Sequence, residues 1–322
     1  MKRRSGSLLI VTLWLVTILS ALSVAIARYL SLGVKVSRYR IAREEAKALA
    51  RSGVYVAMQR LALDGAGPES DGKAYDWPGD DWAEAGEVSV PGQSSGGAGF
   101  KGRVTVRVVD EERKLNLNTA DKTQLAPVVK DEALAQAILD ARDEPDPAED
   151  QPGAQPPYFA KNGPFKSPEE LADLPGMTPE AYADLRNFSS PYIEGSGKIN
   201  INTAPLEVLR AMGLTEATIQ MIDLYRTGPD GPDQHAEDGV FTDAGLAVVQ
   251  TLRDNQGVDL TGTSDGNLLS GSAVGVSSQT FTISAEGVIE RPAVRIRVDA
   301  VVRRAQCPDH APSPCVVAWR EG

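Results

Sequence analysis

Residues 7–27 read SLLIVTLWLVTILSALSVAIA, twenty-one positions without a charge. Lys2, Arg3, Arg4, Ser5 and Gly6 precede them and Arg28 closes them. At about 1.5 Å of rise per helical residue, such a run spans a hydrocarbon core of about 30 Å. A basic start before an apolar stretch also describes a removable secretory signal. That reading is disfavoured on three grounds. The run exceeds the 7–15 apolar residues typical of a signal core. No small-x-small cleavage site with a turn follows it. The pattern beyond Arg28 stays helical: Leu30, Val34, Ile41, Ala50, Val54, Met58 and Leu61 fall largely on one stripe, and no proline occurs before Pro68. One helix is therefore expected over residues 7–63, with its membrane part at about 8–27 and its second part packed on a globular domain.

Charge divides the chain in the same way. The net charge is −11, yet residues 1–51 hold ten Lys/Arg against two Asp/Glu, leaving −19 for the remainder. Such a head repels polyphosphates unless a local patch is basic. Positive residues ahead of the apolar run place the N-terminus in the cytoplasm and the acidic bulk across the membrane, although Arg28, Lys35, Arg38 and Arg40 on the far side pull the other way. The two cysteines, Cys307 and Cys315, flank the proline-rich loop CPDHAPSPC. A pair so close suggests a local disulfide and an oxidising compartment. Two free thiols are the alternative; a zinc site lacks ligands, since only His310 lies nearby.

Beyond the helix, residues 64–99 are rich in Gly, Ser, Pro and Asp without periodicity and read as irregular. Residues 103–109 alternate as a strand. Residues 280–290 and 294–303 form a hairpin around Arg291 and Pro292, and Val316–Trp319 adds a short last strand. These strands flank a helical middle. The expected fold class is α+β: a long N-terminal transmembrane and packing helix, a small antiparallel sheet, and a large inserted all-α domain. The divisions are 1–6, 7–63, 64–113 with 266–322 as the α/β domain, and 114–265 as the insert.

The insert repeats itself. Lys114–Ala120 (KLNLNTA) matches Lys198–Ala204 (KININTA) at an offset of 84, and Leu125/Leu209, Ala133/Ala217, Gln136/Gln220, Ile138/Ile222 and Arg142/Arg226 keep the register. The two halves start near 114 and 198. In each, Asn-Thr is expected to cap a helix. Between them Ser167 and Glu170 form a capping box, and Leu174–Pro179 (LPGMTP) a tight turn. The combination resembles the helix-hairpin-helix module of DNA-binding proteins. Thr178, however, replaces the second hairpin glycine, and the following helix carries Glu180 and Asp184 against Arg186. The means of holding a phosphate are missing, and a structural role for the paired helices is expected.

No catalytic constellation appears. His235 and His310 lie in Pro/Gly/Asp loops, and no nucleophile stands grouped with a base. The chain is not read as an enzyme. Asp140, Asp143, Glu144, Asp146, Glu149 and Asp150 cluster after a helix and suit a hard cation such as calcium, with a solvated acidic loop as the alternative. The segments 230–243 and 254–265 are weaker candidates.

Together these features resemble the K-type minor pseudopilins of the type II (general) secretion pathway. The resemblance implies a prepilin leader ending at Gly6, cleavage by a prepilin peptidase between Gly6 and Ser7, and methylation of the new Ser7 amine. The fifth mature position, where most pilins carry Glu, is Val11; K-type pseudopilins likewise lack that Glu and carry a bulky helical insert with Asn-Thr-Ala repeats. The acidic cluster after Arg142 resembles the position of the family's calcium-binding segments. The resemblance further implies a single-pass inner-membrane protein with a periplasmic head. It would sit at the tip of a short pilus and partner I- and J-type minor pseudopilins and the secretion platform. A type IV pilus tip subunit is the alternative.

Overall fold

The computed structural model describes residues 6–64, 74–89, 102–143, 161–195, 197–228, 239–304, 307 and 314–322. Helix α1 (Gly6–Leu63) runs 58 residues without interruption, about 87 Å at the usual helical rise. Its apolar N-terminal part has the length and hydropathy of a membrane span. Every described residue from Leu9 to Ile41 is exposed. Burial starts at Ala42 and continues through Ala46, Ala50, Val54, Ala57 and Leu61. Leu30, Val34 and Ile41, expected on the packed stripe, instead project beyond the globular part. The true packed face is built largely of small residues, so the helix axis comes close to the sheet.

β1 (Gly86–Val88) and β2 (Gly102–Asp110) follow. β1 corrects the reading of 64–99 as wholly irregular. Three residues with one buried side chain, Val88, leave no periodic signal.

The insert then begins. Its first half comprises β3 (Leu115–Asn116), α2 (Lys122–Val129), α3 (Glu132–Arg142), a 3-10 turn (Pro168–Asp173), α4 (Pro179–Phe188) and β4 (Ser189–Ser190). Its second half comprises β5 (Ile199–Asn200), α5 (Leu206–Ala211), α6 (Glu216–Thr227), α7 (Leu246–Gln256), α8 (Ser264–Ser270) and β6 (Val274–Gly275). Each half closes on itself by a two-residue parallel bridge, β3 with β4 and β5 with β6. The helical core accordingly extends through Leu269, Val274 and Val276. The insert thus runs past residue 265, because the second half needs β6 to close.

The chain returns as β7 (Thr280–Ile289), β8 (Val294–Arg303) and β9 (Cys315–Glu321). With β1 and β2 they form one antiparallel sheet in the order β1-β2-β7-β8-β9. Val104, Val106 and Val108 of β2, Ile283 and Ala285 of β7, and Ile296, Val298, Ala300 and Val302 of β8 face α1 and form a second core, separate from the helical one. Gly287 of β7 fixes the closest approach: a Cβ there would lie 2.0 Å from the Ala46 carbonyl oxygen. Trp82 meets Phe281 edge-on at 5.0 Å and closes one end of this core.

Candidate functional site: an anchoring helix and a buried polar neck

Gly6 and Ser7 lie in the first turn of α1. Val11 is one turn further on and 58% exposed, as are its neighbours Leu9, Ile10, Leu13 and Trp14 to similar degrees. No described part of the protein covers this segment, so its apolar surface is available to lipid or to other helices. Past Arg28 the helix keeps exposed Leu32, Val36 and Tyr39 among Lys35, Arg40 and Arg43.

The head is joined to the anchored unit by two chain crossings, after β2 and before β7, and buried polar groups bind them together. Glu111 N–H donates to Thr280 O at 2.9 Å, and Asn200 N–H to Glu112 O at 2.9 Å. The Asp110 carboxylate accepts from Asn200 Nδ2 at 3.1 Å, Thr203 Oγ1 at 2.6 Å and Ser278 Oγ at 2.7 Å. Its other oxygen accepts from Glu112 N–H at 2.7 Å. Burial pushes Asp110 up to about 6 in spite of those donors. Glu112, which accepts from the Gln279 and Thr280 amides, is pushed up to about 7, first by burial and then by Asp110.

The asparagines expected to cap helices do something else. Asp121 caps α2, with Gln124 completing the box, and α5 starts at Pro205 without a side-chain cap. Asn118 instead exchanges hydrogen bonds with the backbone of Phe165, and Asn202 does the same with Phe241. Asn116 and Asn200 each accept from the amide two residues on. The repeated motif is therefore a pair of clamps inside each half. The turn before α4 behaves as expected: Gly176 adopts φ +80°, and Thr178 accepts from Ala181 N–H at 3.1 Å.

A third anchor lies at the end of α1. Arg304 bridges Asp64 at 2.9 Å and Asp76 at 2.8 Å, and its guanidinium stacks 4.8 Å from the Phe281 ring centre. Asp76 also accepts from Ser278 N–H at 2.6 Å, and its own amide donates to Val276 O at 2.8 Å. The first residue after the helix, the segment before β1, the insert's exit and the end of β8 thus meet at one buried ion pair. Carboxylate oxygens of Asp64, Asp76 and Asp80 lie within 4.8 Å of one another. The guanidinium supplies the positive charge there.

Residues 114–191 match the family model for type II secretion system (T2SS), protein K. The matched segment is similar to the protein K domain. It coincides with the first half of the insert, from β3 to just beyond β4. Over the whole chain the likeness is one of fold. A chain of the crystal structure of the GspK-GspI-GspJ complex from the enterotoxigenic Escherichia coli type 2 secretion system matches with TM-score 0.60 and 16% identity, covering 89% of this chain and 99% of that one. A search of curated proteins finds no match.

The matched segment carries all six acidic residues considered for calcium, and the first two of them are described. Asp140 accepts from Gln136 Nε2 at 2.7 Å, and Asp143 ends α3. Glu144, Asp146, Glu149 and Asp150 lie outside the described residues. Asp265, within the weaker segment 254–265, is a structural group: it is buried and accepts from Thr215 and Thr218. Cys307 and Cys315 are joined in a disulfide, Cα–Cα 5.8 Å, at the start of β9. Beyond the matched segment, the residues that sequence reasoning missed are those of the neck. Asp110, Asn200 and Ser278 are far apart in the chain, and only the matched Asn-Thr-Ala motifs hinted at a shared buried role.

Proposed function

We propose that this chain is a minor pseudopilin at the tip of the type II secretion pseudopilus, where it initiates or caps assembly and supports protein secretion across the outer membrane. The observation that carries the reading is a helical head of two packed halves, joined through the Asp110–Asn200–Ser278 neck to a sheet and a helix about 87 Å long. A helix with an uncovered apolar N-terminal part can bundle with like helices, while a helical insert of this size obstructs stacking of a further subunit above it. The E. coli structure of like fold is a K–I–J complex, which supports I- and J-type minor pseudopilins as partners. On this reading the work of the chain is assembly, not catalysis.

The proposal includes processing at Gly6–Ser7 by a prepilin peptidase with methylation of Ser7, an N-terminus in the cytoplasm, and a periplasmic head, for which the disulfide is supporting chemistry. Val11 offers no carboxylate to a neighbour's amine, which suits a subunit with nothing above it. The all-oxygen donors of the acidic stretch from Asp140 to Asp150 fit calcium.

Mass spectrometry of the membrane-extracted protein, with and without the peptidase, tests the reading. A mature chain starting at N-methyl-Ser7 supports it, and a start near residue 28 or later defeats it. Co-purification with I- and J-type pseudopilins is the second measurement; failure to bind either removes the tip assignment.

A further inference from the structure

The stripe of α1 that packs on the sheet continues below the point where the sheet ends. Ala42, Ala46 and Ala50 are buried in the core beneath the sheet. Earlier in the chain, Leu32, Val36, Tyr39 and Arg43 follow one another at i, i+4, i+7 and i+11 on the same side of the helix, and all four are exposed. Together with Lys35, Arg40 and Val294, the first residue of β8, they line a hollow of about 580 Å³. Leu32, Val36, Tyr39 and Val294 make its floor apolar, and Lys35, Arg40 and Arg43 make its rim cationic.

The charge of this stretch has one sign. Residues 28–43 include Arg28, Lys35, Arg38, Arg40 and Arg43 and no Asp or Glu. Among the described residues, the first ion pairs along α1 are those of Lys47 and Arg51 with Glu321, beyond the hollow. The cations at its rim therefore stand over an apolar floor without a counter-charge.

We propose that this hollow seats an amphipathic helix of another membrane-anchored chain, whose apolar ridge covers Leu32, Val36 and Tyr39 and whose carboxylates meet Lys35, Arg40 and Arg43. The proposal rests on the bundling of α1 with other helices in the reading above and adds the chemistry of the partner, which is acidic where this chain is basic. Lipid reaches too little of the hollow. Leu32 and Arg43 lie about 7 and 24 Å past Ala27 along the helix, whereas headgroups extend only about 5–7 Å past the hydrocarbon. A second copy fits no better, because an identical helix anchored in the same direction brings an identical band of cations against this one. A different anchored helix runs beside α1, offers apolar residues at the matching i, i+4, i+7 spacing, and can give each guanidinium a carboxylate through two parallel hydrogen bonds.

The test is fluorescence anisotropy on the detergent-solubilised full chain. The probe is a labelled peptide of repeated Glu-Leu-Ala-Ala-Leu-Glu-Ala heptads, compared with its counterpart carrying Lys for every Glu. Binding of the Glu peptide alone is expected. Lys35→Glu/Arg40→Glu/Arg43→Glu should weaken it at least tenfold and gain binding of the Lys peptide, while Arg253→Gln, at an exposed arginine paired with Asp254, changes neither. All three reversed positions are exposed, and thermal melting checks that the variant is folded. Failure of the Glu peptide to bind, equal binding of the Lys peptide, or indifference to the folded reversal variant overturns the proposal. Displacement of the peptide by phosphatidylglycerol in the micelle assigns the hollow to lipid, and a native dimer that Tyr39→Asp dissociates assigns it to a second copy; either overturns it too. Co-purification with I- and J-type pseudopilins tests the tip assignment separately, so a negative peptide result beside intact co-purification removes this inference alone.

Discussion

Arg142 and Arg226, 84 positions apart, perform the same act in the two halves of the insert. The Arg142 guanidinium donates to the carbonyls of Leu117 and Ala120. That of Arg226 donates to those of Ile201, at 2.9 Å, and Ala204, at 2.7 Å. The carbonyls themselves are 84 positions apart. Each arginine lies in the last turn of a helix, α3 or α6, and ties it to the turn that opened its half. The repeat therefore preserves a complete interaction, and each half is a closed unit that shares its core with the other.

The deeper clamp should matter more. The Arg226 side chain is 12% exposed, with Asp223 3.5 Å away. Replacing it by Met leaves two inner carbonyls without donors, and bonds from charged donors contribute about 1.5–3 kcal/mol each. Arg226→Met is expected to lower stability by about 2–4 kcal/mol, and Arg142→Met by less. Denaturant unfolding of the full chain in detergent measures both; equal midpoints for Arg226→Met and the native chain would refute the clamp.

The approach of α1 to the sheet gives a second expectation. Any side chain at 287 collides with backbone at Ala46, where nothing flexible can yield. Gly287→Val must push the helix off β7 and open the core around Ala46, Ala50 and Val104. Overpacking typically costs about 1–3 kcal/mol, and more where backbone must move. Hydrogen exchange should show faster opening of residues 42–61, with the helical insert unchanged. Uniform destabilisation of both cores would argue against a local effect.

Much of this architecture is readable from sequence because it is periodic. The unbroken apolar run gives α1, strict alternation gives β2, β7 and β8, and self-similarity gives the two halves of the insert. What could not be read is non-local or short. β1 has three residues. The Asn118 and Asn202 side chains look like caps until Phe165 and Phe241 are seen across the fold. Asp110 depends on Ser278, 168 positions away, and Arg304 on Asp64, 240 away.

The neck should make stability depend on pH in an unusual direction. The folded pKa of Glu112, about 7, lies above its ordinary 4.5, and that of Asp110, about 6, above 3.8. Between those values the folded state binds more protons than the unfolded one, so stability falls as pH rises from about 4.5 to 7 and levels off above. Glu112 contributes up to about 3 kcal/mol of that fall at 1.36 kcal/mol per unit. Glu112→Gln keeps an oxygen for the Gln279 and Thr280 amides and removes the titration. Unfolding midpoints at pH 5 and 7.5 should differ clearly in the native chain and much less in the variant. Glu321, held down to about 2 by Arg51 and Lys47, titrates below this window and does not interfere. A native profile that rises between pH 5 and 7.5, with the same rise in the variant, would contradict this account.

The ion pair at the end of α1 yields the sharpest expectation. Arg304 separates two buried carboxylates, Asp64 and Asp76, and packs its flat face on Phe281. Removing one partner of a buried pair strands the other charges, at a cost of about 3–5 kcal/mol. Arg304→Met is expected to lose that much and to fray α1 near Leu61, because Asp64 loses its ion pair with Arg304. Arg304→Lys should recover only part, since one ammonium cannot reproduce the fork. The triple variant Arg304→Met/Asp64→Asn/Asp76→Asn separates charge from packing. If the stranded carboxylates are the cause, it melts well above the single variant. If it melts no higher, the contribution of Arg304 lies in its contact with Phe281, and the electrostatic explanation of this junction is wrong.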